Sequence, residues 1–210
     1  MRILSVPLLC LLMAPLAMAL EFSPQDIMRQ WDRHSFEGET RYELVDLDGR
    51  TAIHAVCDQA SASGLFYRED IDLRETPVME WRWRVDNTFD DIDETTRAGD
   101  DYPARIYVVD EHRVLRWRTR ALNYVWSSTQ EAGSDWENAY ASQARMVASR
   151  GPEHAGDGWQ IERRHIRDDF ERLHGRSPER INAIAIMTDC DDTGQTAEAW
   201  YGGIRFLPED

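Results

Sequence analysis

Residues 80–86 read Glu-Trp-Arg-Trp-Arg-Val-Asp. Trp81, Trp83 and Val85 alternate with Arg82, Arg84 and Asp86, the period-two spacing of a β-strand with two unlike faces. Energetics decide which face turns inward. A buried Trp removes roughly 150–250 Å² from water, about 4–6 kcal/mol apiece as an upper bound. Burying an unpaired guanidinium costs several kcal/mol instead. Trp81, Trp83 and Val85 therefore belong in a core between sheets. Arg82 and Arg84 belong outside, or in a groove with water or acidic partners.

Working outward, further extended runs appear at short intervals. "TRYELVDLDGRTAIHAVCD" (40–58) is a hairpin around Asp48-Gly49, a strong turn signal. "GLFYREDIDL" (64–73), "ARIYVVDEHRVLRWRTRALNYVWSS" (104–128), "QARMVASR" (143–150), "WQIERRHI" (159–166), "INAIAIMTD" (181–189) and "EAWYGGIRFL" (198–207) follow. Many short strands separated by turns predict an all-β sandwich or barrel. Two helices interrupt them. In "FSPQDIMRQW" (22–31), Ser23 suits an N-cap and Pro24 the first helical position, so Ile27, Met28 and Trp31 are expected to be buried. In "RHIRDDFERLHGRSPERI" (164–181), Ile166, Phe170 and Leu173 share a helical face and Gly175 ends it. No linker or repeat divides residues 20–210, which read as one domain.

The chain begins "MRILSVPLLCLLMAPLAMA", a basic start, an apolar run and small residues. This is the pattern of a signal peptide cleaved after Ala19, and a bacterial periplasm is the expected compartment. No later stretch is long and apolar enough to span a membrane. Cys57 and Cys190 remain after cleavage. In an oxidising compartment they are a candidate disulfide, the plainer alternative being two buried thiols. The formal charge is −15, and all 24 basic residues are arginine. That excess of acid argues against nucleic acid or an anionic membrane as a partner.

Alternation on the other strands extends the polar face. Arg105 and Tyr107 oppose Ile106 and Val108, Asn123 alternates with Leu122 and Tyr124, and Arg145 alternates with Ala144 and Met146. With these strands as neighbours, one face carries Arg82, Arg84, Arg105, Tyr107, Asn123 and Arg145. Asp100 and Asp101 of the adjacent acidic loop would balance the arginines. Planar donors beside an aromatic ring suit hydroxyls and carboxylates. The competing reading is a lattice of structural salt bridges.

"SASGLFYRE", "WRWRVD", "RAGDDYPARIYVV", "LNYVWSS" and "MTDCDDTGQTAEAWYGGIRF" resemble an uncharacterised family of exported bacterial proteins, domain of unknown function 3047. The likeness runs from about Phe36 to Phe206. It implies a layout similar to galactose-binding-like jelly rolls, the architecture of many carbohydrate-binding modules, with "AWYGGIRF" as the closing strand. It implies no established activity. Cys57 and Cys190 depart from the family's pattern, where serine-like residues are expected, which fits a disulfide peculiar to this member.

The expectation is thus a jelly-roll β-sandwich with a short N-terminal helix and one inserted amphipathic helix. Its function is read as non-catalytic binding of an envelope or extracellular glycan. Two other classes stay open. A polysaccharide lyase would use Arg105, Tyr107, Asn123 and Tyr124, and a hydrolase Asp100, Asp101 or Glu94. An envelope interaction domain would expose Trp117 or Trp136. No cofactor motif is present. "DCDDTG" places Asp189, Asp191 and Thr193 in a calcium-loop spacing, but Trp200 stands where an EF-hand needs Glu. A structural calcium or a plain Asx-rich turn are the two readings.

Overall fold

The computed structural model describes residues 19–112 and 114–209. The segment expected to be a signal peptide cleaved after Ala19 lies, up to Met18, outside the described residues. In chain order the elements are β1 (Leu20–Phe22), α1 (Pro24–Gln30), β2 (Asp32–Glu37), β3 (Arg41–Leu47), β4 (Arg50–Cys57), β5 (Ala62–Tyr67), β6 (Ile71–Asp72), β7 (Val78–Val85), β8 (Ala104–Asp110), β9 (Arg120–Trp126), β10 (Asp135–Glu137), β11 (Ala144–Arg150), β12 (Gln160–His165), α2 (Ile166–His174), β13 (Arg180–Ile181), β14 (Ala183–Asp189) and β15 (Ala197–Leu207).

Local chemistry accounts for the boundaries. Ser23 and Asp26 cap α1 reciprocally, each accepting from the other's backbone N–H. Gly175 ends α2 in the left-handed region at φ 66°. Asp48 and Gly49 both have positive φ, 57° and 71°, as a tight hairpin turn between β3 and β4 requires. Strand β2 has no apolar alternation and is exposed along its whole length. Its pairing to β5, not its sequence pattern, makes it a strand.

The strands form two large sheets packed as a jelly-roll sandwich. One runs β12-β7-β15-β4-β3, with β1 also paired to β15. The other runs β10-β11-β9-β8-β14-β5-β2. Strand β15 pairs with β4 before Gly202-Gly203 and with β1 after it. A Cβ on Gly202 would run into the Arg82 side chain, so glycine leaves room for that arginine to cross β15.

Between the sheets, Trp81 and Trp83 of β7 meet Tyr124 and Trp126 of β9, with ring centroids 5.2 and 5.8 Å apart. Trp83 is fully buried and its Nε1–H donates to Glu162, 3.2 Å away. The indoles face inward and Arg82 and Arg84 outward, as the alternation predicts. The sheets are also joined covalently. Cys57 at the end of β4 is bonded to Cys190, just after β14, with Cα atoms 6.0 Å apart and a sequence separation of 133.

Closing so long a loop restricts the unfolded chain strongly. Replacing both cysteines by serine is expected to lower stability by about 2–5 kcal/mol in urea titrations. A double variant as stable as the parent would contradict the role given to this bridge.

A candidate binding cleft on the outer face of the seven-stranded sheet

Strand parity places the site. Since Ile106, Val108, Leu122, Tyr124 and Trp126 fill the core, their alternating neighbours Arg105, Tyr107 and Asn123 stand on the opposite, outer face. Met187 of β14 pairs with Arg105, and Met146 of β11 with Asn123, so both share that face. Above it lies a cleft of about 370 Å³. Its walls include Arg105, Tyr107, Asn123, Asp100, Asp189 and Asp191, all six singled out in the sequence. They also include Phe36, Asn138, Tyr140 and Asp192, which the sequence reading missed. Phe36 comes from the unrecognised strand β2. Asn138 and Tyr140 come from the loop "ENAYASQ", which has no periodic pattern. Asp192 adjoins the singled-out Asp191 and was open to the same reading.

Arg105 is 3% exposed and anchors the floor. Its Nη2 lies 2.8 Å from an Asp189 oxygen and donates to the Asp100 backbone carbonyl at 2.8 Å, while Nη1 donates to the Tyr107 hydroxyl at 2.6 Å. Burial works against the guanidinium's charge, but Asp189, Tyr107 and Asp100 outweigh it and hold Arg105 above its ordinary pKa. Both terminal nitrogens are thus committed, and no free fork remains to grip a carboxylate. Arg105 Nε and Asn123 Oδ1 are buried without a hydrogen-bond partner among the described residues, one a donor and the other an acceptor.

The walls carry four carboxylates, Asp100, Asp189, Asp191 and Asp192, against one guanidinium. Asn138 donates to both oxygens of Asp100, at 3.0 and 3.1 Å. Tyr140, half exposed at the rim, donates to Asp192 at 2.6 Å. Burial, then the charges on Asp101 and Asp192, push Asp191 up to about 6. Burial likewise raises Asp100, against the pull of Arg105.

Three arginines do not belong to this cleft, which corrects the single-platform expectation. Arg82 and Arg84 do face outward, but from the six-stranded sheet, on the far side of the sandwich. Arg84 is held by Asp86 at 2.6 and 2.8 Å and lies 5.4 Å from the centre of the Trp200 ring, a structural salt bridge. Arg145 has the wrong parity. The parallel pairing of β11 on β9 sets Arg145 beside the inward Leu122, and it binds Asp135 at 2.8 Å. Periodicity fixed the two faces of each strand but not which sheet the strand joins.

The calcium set also disperses. Asp189 faces Arg105, and the Thr193 hydroxyl accepts from the Gln195 N–H at 3.2 Å. A different trio converges: Asp101, Asp191 and Asp192 bring carboxylate oxygens within 4.8 Å of one another. Asp101 is fully buried and already accepts from the backbone N–H groups of Asp192 and Thr193, so it is an anchor for this turn rather than a cleft residue. The lyase set loses Tyr124, whose hydroxyl is buried against Asp169 at 2.8 Å. Glu94 is buried beneath Ser127 and Ser128, outside the cleft. Trp136 packs on Tyr102, while Trp117 is 64% exposed.

Residues 29–205 match the family described as "Protein of unknown function (DUF3047)". The chain belongs to this family. No curated protein matches this DUF3047 chain. Among solved structures it is similar to the family 11 carbohydrate-binding module of the cellulosomal cellulase Lic26A-Cel5E of Clostridium thermocellum, with 9% identity over 92% of this chain and 96% of that one and a TM-score of 0.49. The same family's module in complex with a β-1,3-1,4-mixed-linked tetrasaccharide gives 9% identity, 90% and 95% coverage and a TM-score of 0.47. TmCBM61 in complex with β-1,4-galactotriose gives 8% identity, 89% and 90% coverage and a TM-score of 0.35. At these values no ligand carries over, and the sandwich rests on the sheet order itself. No helix among the described residues is long and apolar enough to cross a membrane.

Asp191 yields a pH prediction. It holds its proton more tightly folded than unfolded, so it costs stability increasingly as pH climbs from 3.8 to about 6 and a constant amount above. Asp191→Asn should melt higher than the parent at neutral pH, with the gap closing at the acid end of that window. A gap that widens on acidification would contradict this assignment.

Proposed function

We propose that this DUF3047 protein is a non-catalytic binding protein for a hydroxyl-rich glycan without uronic acids, held in the cleft over β8, β9 and β14. The observation that carries this reading is the state of Arg105. Arg105, the one guanidinium lining the cleft among the described residues, is already neutralised by the protein's own carboxylate, and further carboxylates surround it. Such a wall repels an anionic sugar and accepts hydrogen bonds from hydroxyls. The unfilled acceptor at Asn123 suits a sugar hydroxyl, which can donate to it. Phe36 and Tyr140, both more than half exposed at the rim, offer ring faces for the apolar side of a pyranose. A site of action outside the cytoplasm, in the periplasm or beyond, belongs to the same proposal and is supported by the basic start, apolar run and small residues of the first 19 positions.

A hydrolase is the second reading, favoured by one observation. Asp191, at about 6, is a cleft carboxyl able to give up a proton near neutral pH. Both readings are separated by one experiment. Calorimetric titrations with cello-, xylo-, manno- and galacto-tetraoses and with oligogalacturonate should show heat of binding for at least one neutral sugar and none for the uronate. No new reducing ends should form. Tyr140→Ala should weaken binding about tenfold, the size of one lost ring contact with its hydrogen bond, without changing the free protein's melting temperature. Arg84→Ala should bind as the parent does. Preference for the uronate, or loss of binding in Arg84→Ala, would overturn the cleft assignment; reducing ends would establish the hydrolase.

A further inference from the structure

The charge of the cleft is unbalanced in a way that neutral sugars leave unused. Asp100 and Asp189 flank Arg105, and only Asp189 is needed to neutralise it, at 2.8 Å against 3.8 Å for Asp100. Asp191 and Asp192 stand on the turn above, and neither makes an ion pair among the described residues, Arg105 reaching Asp191 only with its longer-range charge. Asp192 instead accepts from Tyr140, and Asp101 beneath adds a further buried carboxylate to the same turn. The turn is held in place by the disulfide at Cys190 and by the N–H groups that Asp101 anchors. These carboxylates therefore cannot easily separate to relieve their repulsion. A second and independent feature points the same way. Asn123 is 1% exposed, lines the cleft, and keeps its Oδ1 acceptor without a donor.

Resting on the glycan reading above, we infer that the cleft selects amino sugars, taking a protonated amine of the saccharide between Asp191, Asp192 and the rim ring of Tyr140. An ammonium supplies three donors and one positive charge. It would relieve the carboxylate repulsion that a hydroxyl leaves in place, and its charge suits the face of the Tyr140 ring. Arg97 already stands 5.1 Å from the centre of that ring, so the ring is in use as a cation platform on at least one side. The acidic surface as a whole draws such a ligand in, with a formal charge of −15 on the chain.

Three β-1,4-linked tetrasaccharides that differ at one substituent test the inference: the glucosamine tetramer with its amines protonated, its N-acetylated form, and cellotetraose. They carry ammonium, acetamide and hydroxyl groups at the same carbon. Titrated into the chain from Leu20 onward, which contains every element of the described residues, the glucosamine tetramer should bind about tenfold or more tighter than either other sugar, one added ion pair near a surface being worth roughly that. The advantage should shrink as salt rises. Asp192→Asn keeps the acceptor for Tyr140 and removes one charge, so it should cut the glucosamine tetramer's advantage over cellotetraose by about fivefold. If a neutral sugar binds and the glucosamine tetramer binds no tighter, the amino-sugar inference is overturned and the cleft reading survives. If no sugar of either panel binds, the glycan reading itself fails. An advantage that persists undiminished in Asp192→Asn would also overturn the inference, because it would arise away from this turn.

Discussion

The stack of Trp81 and Trp83 on Tyr124 and Trp126 governs the rest of the molecule. Four large rings meet between the two sheets, and each belongs to a strand whose side chains alternate strictly. Once those rings are inside, every other residue of β7 and β9 is assigned a side. Asn123 must then face out, and register with β8 carries Arg105 and Tyr107 out beside it. The polar floor of the cleft is thus a by-product of burying indole and phenol on the other side of the same strands.

What sits on that floor is governed by electrostatics rather than by area. A guanidinium as deeply buried as that of Arg105 survives only with a carboxylate partner and satisfied hydrogen bonds. Asp189, Asp100 and Tyr107 provide them and so spend the arginine on structure. The disulfide at Cys190 fixes the segment that carries Asp189 on one side and Asp191 and Asp192 on the other. Structural roles and the proposed binding roles are therefore divided among acids that meet at this turn, Asp101 reaching it from the loop before β8. Asp189 and Asp101 hold the frame, while Asp191 and Asp192 face the open cleft.

Much of the architecture was legible from periodicity and turn chemistry. The Asp48-Gly49 hairpin, the capped helix after Ser23, the helix ended by Gly175 and the inward tryptophans all follow from local rules. The pairing of Cys57 with Cys190 agreed with their places at strand ends. The grouping of the arginines was not legible. Arg82 and Arg105 obey the same alternation, and nothing local to either strand reveals that one faces away from each side of the sandwich. Arg145 failed for a related reason: its face depends on a parallel pairing between β11 and β9 that no turn signal announces. Phe36 and Tyr140 escaped notice because an exposed edge strand and an irregular loop have no apolar period to read.

The central claim is that inward aromatic packing makes the outer face of the seven-stranded sheet the binding surface. Amide chemical-shift mapping during titration with a bound tetrasaccharide tests it most directly. The account predicts perturbations clustered at Tyr107, Asn123, Asn138 to Ala141, Asp191 and Asp192, with Arg82, Arg84 and Trp200 silent. Shifts centred on Arg82, Arg84 and Trp200 instead would contradict it.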